Sequence, residues 1–169
     1  MKIKAHHILI IAAIILVGIL GSKYTDMGML WYNTELIKPA LVPAKWVFPL
    51  AWNIIFIATA ISLIMVWDKG HEAKKFLFFK FKTSPDQKFW LIIILFVLNG
   101  VLNVYWNYIF FVLHDFSLAF KEMILLEIII LAKIFLIQNI SKPAALLLIP
   151  YAIWVGFASY ITYQVMLLN

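Results

Sequence analysis

WYNTELIKPALVPAKWVFPLAW, residues Trp31 to Trp52, separates two runs apolar enough to lie in a bilayer. It holds three tryptophans, three prolines and three charged residues. Each proline removes a backbone donor and restricts the residue before it, so the stretch is not one continuous helix. Trp31 to Pro43 therefore does not span. Irregular backbone next to a bilayer is tolerated where protein or water covers it, which places this segment as a folded cap over the mouth of a helix bundle. Tryptophan and tyrosine suit that position because their rings accept apolar surroundings while the N–H or O–H finds a partner. An interfacial aromatic belt on a proline-stiffened loop is the plainer alternative.

The rest of the chain agrees with a membrane setting. Of 169 residues, 65% are hydrophobic, 17% aromatic and only 13% charged, and the mean hydropathy is +0.98. Soluble domains do not have that composition. There is no cysteine, which removes disulfides, thiolate ligands and cysteine nucleophiles. The net charge is +6 and every cationic side chain apart from histidine is lysine. Without arginine, bidentate clamps on phosphate are excluded, nucleic acid is not an expected partner, and the basic balance is explained by orientation among anionic membrane lipids.

Taken in order, the chain predicts five spans, at about 8–21, 47–67, 89–113, 118–138 and 144–168, forming a single domain over 1–169. The basic start and short apolar run Ile8 to Leu20 also fit a signal peptide, but the small-residue cleavage pattern around Gly18 to Ser22 is poor, so an uncleaved first span is preferred, with Tyr24 and Trp31 as its outer boundary. Pro49 falls in the first turn of the second span, where a missing donor costs little. Asp68 to Lys88 reads as a basic loop interrupted by Phe76-Leu77-Phe78-Phe79, suited to an anionic surface or to plain solvent. His114 to Ser117 and Ile140 to Pro143 read as short turns. Lys2, Lys4, Lys69, Lys74, Lys75, Lys80, Lys82, Lys88 and Lys142 fall on one side, and Lys23, Lys38, Lys45 and Lys121 on the other. The richer side is expected in the cytoplasm, with the N-terminus inside and the cap outside.

Three spans carry polar or aromatic stripes. In the third, Asn99, Asn103, Trp106, Asn107 and Phe110 share one helical face. Amides are costly against lipid, so this face points inward, as helix-to-helix glue or as the polar edge of a pocket. Trp52, Phe56 and Thr59 make a similar stripe in the second span, and Tyr151, Trp154, Ala158 and Thr162 in the fifth. Ala152 and Gly156 have the spacing that allows close helix approach. In the fourth span Glu122 and Lys133 lie near the ends, from which they can snorkel, leaving Glu127 deep. His6, His7, His71 and His114 all fall at or outside span ends, so no histidine is expected at mid-membrane to ligate haem or zinc or to activate a serine.

With these residues in view, the chain resembles the translocator protein/tryptophan-rich sensory protein (TspO) family. Trp31-Tyr32, Leu36, Lys38-Pro39, Pro43, Trp46, Phe48 and Trp52 are similar to its WYxxLxKP…PPxWxF…W signature. Asn103, Trp106, Phe110 and Phe111 are similar to NxxWSxxFF, and Pro150-Tyr151, Trp154, Phe157 and Ala158 to PYxxWxxFAxxLN. The chain departs from the pattern in having one extra residue between Tyr32 and Leu36, Ala44 for the second proline, Phe56 for tyrosine, Asn107 for serine, and Ile161-Thr162 for Leu-Asn. No basic residue follows Tyr160 or Tyr163, so the family's cholesterol-recognition pattern is not carried over.

The resemblance implies an all-α integral membrane protein, a five-transmembrane-helix bundle with the aromatic, proline-rich first loop as a lid, often dimeric, and here expected in a bacterial cell membrane. It implies a receptor or sensor for porphyrins, haem-related tetrapyrroles and hydrophobic drug-like ligands; a light- and oxygen-dependent porphyrin-degrading enzyme and a transporter of such ligands are the alternatives. The expected ligand-binding residues are Trp31, Tyr32, Lys38, Pro39 and Trp46 from the first loop, Trp52 and Phe56, then Asn103, Trp106, Asn107 and Phe110, and finally Tyr151, Trp154 and Ala158. No catalytic residue, metal ligand or resident cofactor is expected. A porphyrin would be a ligand held by stacking and shape without axial histidine, in keeping with aromatic walls and few polar groups.

Overall fold

A backbone in hydrocarbon has no water to bond, so its amides must pair within the segment, and helices do this. Among the described residues of the computed structural model, 4–76 and 85–169 with the backbone alone for 71–76 and 85–86, all regular structure is helical. The elements are α1 (Ala5–Thr34), α2 (Val47–Phe76), α3 (Pro85–Tyr108) running on into a π-helical turn (Ile109–Leu113), α4 (Phe116–Ile137), the short α5 (Lys142–Leu146) and α6 (Ile149–Leu168). Four stretches are long and apolar enough to cross a membrane: Ala5–Thr34, Val47–Gly70, Gln87–Leu113 and Lys142–Leu168. The protein is thus an integral membrane protein. Helix α4 has 22 residues, about 33 Å of helix, but carries Lys121, Glu122, Glu127 and Lys133.

Several expected boundaries move. Helix α1 does not stop near residue 21; it has 30 residues, about 45 Å, so Trp31 and Tyr32 belong to its last turns and the irregular segment begins at Glu35. A helix needs no apolar residues once it has packed, and α1 packs along α3. Helices α2 and α3 likewise run beyond 67 and start before 89, which shortens the expected basic loop. Its aromatic patch, 76–79, lies outside the residues whose side chains are described. The expected fifth span is broken at Leu147 and Leu148 into α5 and α6, where Pro150 withdraws a donor from the first turn of α6.

Lys4 Nζ pairs with Asp68 Oδ1 at 3.0 Å and Lys69 Nζ donates to Ser141 Oγ at 3.3 Å. These contacts gather the starts of α1 and α5 with the far part of α2. At the opposite end Asn169 clasps the loop: its Oδ1 accepts from Ile37 N–H at 3.0 Å and its Nδ2 donates to Ile37 O at 3.1 Å.

Three apolar clusters fill the bundle from one end to the other. Val66, Phe89, Ile92, Phe96, Ile137 and Leu148 form the first, Ile55, Met123, Leu126, Ile130, Tyr151 and Val155 the second, and Leu36, Ile109, Phe110, Phe111, Ala119 and Val165 the third. Leu36 therefore pins the start of the loop into the bundle. The charges of α4 reverse the snorkelling expectation: Lys133 is 0% exposed and Glu122 is buried, while Glu127 is only half-buried. Lys133 shares the inner face of α4 with Leu126, Ile130 and Ile137, and that face points into the core. Gly156 lies on the outside, where an added Cβ would meet no atom within 4 Å, so the Ala152/Gly156 spacing does not serve packing inside the bundle.

Candidate functional site

A cavity of about 900 Å³ opens beneath the loop, walled by α1, α2, α3 and α6 and floored by Met123 and Leu126 of α4. Pockets for small molecules fall between roughly 300 and 1,000 Å³. Each wall comes from a stripe that burial forces inward. Trp52 and Phe56 project from α2, Asn103, Trp106, Asn107 and Phe110 from α3 and its π turn, and Trp154 and Ala158 from α6. Tyr32 and Lys38 complete the mouth, with the Lys38 ammonium 4.6 Å from the Tyr32 ring centroid.

The remaining residues expected at the site lie elsewhere. Trp31 stacks on His114 at 3.7 Å between centroids, packs near-parallel to Phe116 and meets the wall residue Phe110 edge-on, without itself lining the cavity. Trp46 is 66% exposed, and neither it nor Pro39 is on the cavity wall. Tyr151 sits behind the wall: it is buried, and its hydroxyl takes hydrogen bonds from Asn99 Nδ2 at 3.1 Å and from Asn103 Nδ2. It faces a second cavity, of about 680 Å³, between α1, α2 and α3, which shares Phe56 and Asn103 with the first. Trp67, which its place in the sequence marks as a membrane-belt residue, lines that second cavity, whereas Trp90 is half exposed at the surface.

The π turn matters to this arrangement. By inserting an extra residue per turn, it brings both Phe110 and Phe111 inside, and the helix ends on His114 in the left-handed conformation, φ 55° and ψ 27°. The ring of Trp106 stacks on Phe110 at 5.0 Å and meets Phe111 edge-on. Ser22, Thr25, Asp26 and Met29 of α1 also line the main cavity. Sequence reading missed them because it ended the first helix before they begin. Thr25 Oγ1 donates to Asn107 Oδ1 at 2.7 Å, and Asn107 Nδ2 bonds Asn103 O at 2.7 Å, so Asn107 is satisfied within the protein.

Three buried polar atoms at the wall are not satisfied. Asn103 Oδ1, Trp106 Nε1 and Trp154 Nε1 have no hydrogen-bond partner among the described residues. A buried polar group without a partner costs about 1–3 kcal/mol, so such atoms point to a guest that supplies the missing bonds. Chemically the cavity offers aromatic faces, two donors and one acceptor in its depth, and the cations of Lys38 and Lys45 with the carboxylate of Asp26 nearer the loop.

Comparison with known proteins is consistent with this picture. A family model described as the TspO/MBR family matches residues 9–168. The chain is 33% identical over 153 residues to "Tryptophan-rich protein TspO" of Chlorobaculum tepidum, covering 90% of this chain and 89% of that one. It is 28% identical to "Tryptophan-rich protein TspO" of Archaeoglobus fulgidus, covering 94% of both chains. A third relative, "Translocator protein" of Bos taurus, is 27% identical and covers 87% of this chain and 80% of its own.

Proposed function

Because this chain belongs to the TspO/MBR family, we propose that it is a membrane receptor or sensor that binds tetrapyrroles, and apolar drug-like ligands, in the cavity beneath its first loop. The observation that carries the reading is the pairing of aromatic walls with the unpartnered Trp106 Nε1, Trp154 Nε1 and Asn103 Oδ1. A porphyrin offers a broad apolar plane to the rings, polar substituents at its edge to the buried polar atoms, and carboxylates to Lys38 and Lys45. In this reading α4 is a fifth span, with Glu122 and Lys133 turned toward other helices, and the loop 35–46 is a lid that closes over the ligand. The lysine-rich end faces the cytoplasm of a bacterial cell.

Titration of protoporphyrin IX into the purified protein in the dark, followed by tryptophan quenching, tests this. Loss of a stacking ring in Trp106→Ala or Trp154→Ala is expected to weaken binding about five- to a hundred-fold, by analogy with base stacking. Trp90→Ala, at the outer surface, should bind like the parent. Parent-like affinity in both cavity variants would overturn the assignment. Repeating the titration under light and oxygen separates a receptor from a degrading enzyme, since three tryptophans, Trp52, Trp106 and Trp154, line the same wall; loss of porphyrin absorbance in light alone would favour the second reading.

A further inference from the structure

At the end of the bundle away from the loop, the side chains of His6, His7 and Asp68 converge. His6 Nε2 lies 3.0 Å from Asp68 Oδ1, and His7 Nε2 lies 3.1 Å from Asp68 Oδ2. No two of the donor atoms are further apart than 4.8 Å. Adjacent histidines on a helix ordinarily diverge by about 100°. Here they lie in the first turn of α1, and Asp68 reaches across from α2 so that both rings meet one carboxylate.

We propose that His6, His7 and Asp68 form a binding site for a divalent transition-metal ion of the class that takes imidazole and carboxylate ligands, such as Zn²⁺. Donor atoms at about 2.0–2.1 Å from a tetrahedral ion lie roughly 3.3 Å from one another. The His6 and His7 separations from Asp68 are each within a few tenths of an ångström of that value but run to different carboxylate oxygens, so an ion bound to one oxygen keeps one of them and draws the other histidine in, the widest gap closing by at most about 1.5 Å. Two imidazoles and a carboxylate leave a fourth position for water.

The rings are held in place before any ion arrives. His7 is buried, and its ring meets that of His6 edge-on at 4.4 Å. His6 stacks on Trp67 at 5.7 Å with 23° between planes. The carboxylate of Asp68 retains partial exposure, which gives an entry path. Two local groups compete with the ion. The Lys4 ammonium lies 3.0 Å from Asp68 Oδ1, but its side chain is 56% exposed and free to turn into water when an ion displaces it. The Lys4 N–H donates to His7 Nδ1 at 3.4 Å, which places the ring proton on Nε2. Coordination through Nε2 moves that proton to Nδ1 and gives up this long bond. The ion would then tie the first turn of α1 to α2, beside the second cavity that Trp67 lines.

The test is calorimetric titration of Zn²⁺ into the full chain in detergent, free of any polyhistidine tag, with Co²⁺ absorption as a report on tetrahedral geometry. One equivalent is expected to bind the parent. His7→Gln and Asp68→Asn should each weaken it about tenfold or more, while Lys4→Ala should bind as tightly or more tightly. Zn²⁺ should also raise the melting temperature of the parent and not of these two variants, whose unliganded melting temperatures show whether they fold. If either variant does not fold, His6→Gln replaces it. Absence of Zn²⁺ binding by the parent, or parent-like affinity in all the folded ligand variants, would overturn the proposal and leave the cluster as a hydrogen-bonded latch.

Discussion

Among the described residues Lys133 has no hydrogen-bond partner for its ammonium, which lies 4.6 Å from the centroid of Phe96 and 5.5 Å from that of Tyr151. Ring faces attract a cation by about 0.5–2 kcal/mol, well short of the several kcal/mol lost when an ammonium leaves water. Lys133→Met, of similar length, is therefore expected to raise the melting temperature, with a gain on the order of 1 kcal/mol or more. Thermal unfolding in detergent, read beside porphyrin affinity, checks this; a lower melting temperature would mean that the ammonium has a partner of its own. At this scale the sequence is informative where polarity and lipid conflict. The amide ladder of α3 is legible because Asn99, Asn103 and Asn107 recur on one face that cannot tolerate hydrocarbon. Which amide remains open to a guest is not legible. That depends on Tyr151, whose hydroxyl is occupied by two of them, and helical period alone places Tyr151 on the same stripe as Trp154.

Among the elements, the contact between α1 and the π turn has no slack. A Cβ added to Gly28 would lie 2.2 Å from Phe111 O and 2.8 Å from Phe111 Cβ, so neither element can hold its present path past an alanine. Gly28→Ala is expected to destabilise the protein by about 1–3 kcal/mol through overpacking and to displace Phe110 and Phe111 from the cavity wall. Gly156→Ala, which meets open space, is the matched control. Equal melting temperatures for the two variants would argue against the tight crossing. Helix identity is legible from hydropathy because the hydrocarbon sets a minimum apolar length. Helix ends are not, because a helix continues through polar residues wherever packing supports it, as α1 does from Ser22 to Thr34. The π turn leaves no hydropathy signal at all, since Ile109 to Leu113 is as apolar as the helix before it.

For the molecule as a whole, the two ends are held by different chemistry: a charged cluster at Asp68, and the amide clasp of Asn169 on Ile37. If the loop 35–46 moves as a lid, the clasp limits its motion. Asn169→Ala removes both bonds to Ile37, each worth about 0.5–1.5 kcal/mol. Being exposed, they fall near the lower limit, so amide exchange in the loop is expected to quicken about fivefold. Mass-spectrometric exchange of the loop peptides reads this, and unchanged rates would show that Leu36 alone anchors the segment. The close union of α1 with α3 also has a consequence for biosynthesis. Thr25 and its partner Asn107 are 82 positions apart, and at roughly 5–20 residues per second a ribosome needs several seconds to make that length of chain. During that interval α1 stands in the bilayer without the helix that will cover its polar side. The hydroxyls of Ser22 and Thr25 bond to the carbonyls of Ile19 and Gly21 on their own helix, so the waiting segment can satisfy them before its neighbour has been synthesised.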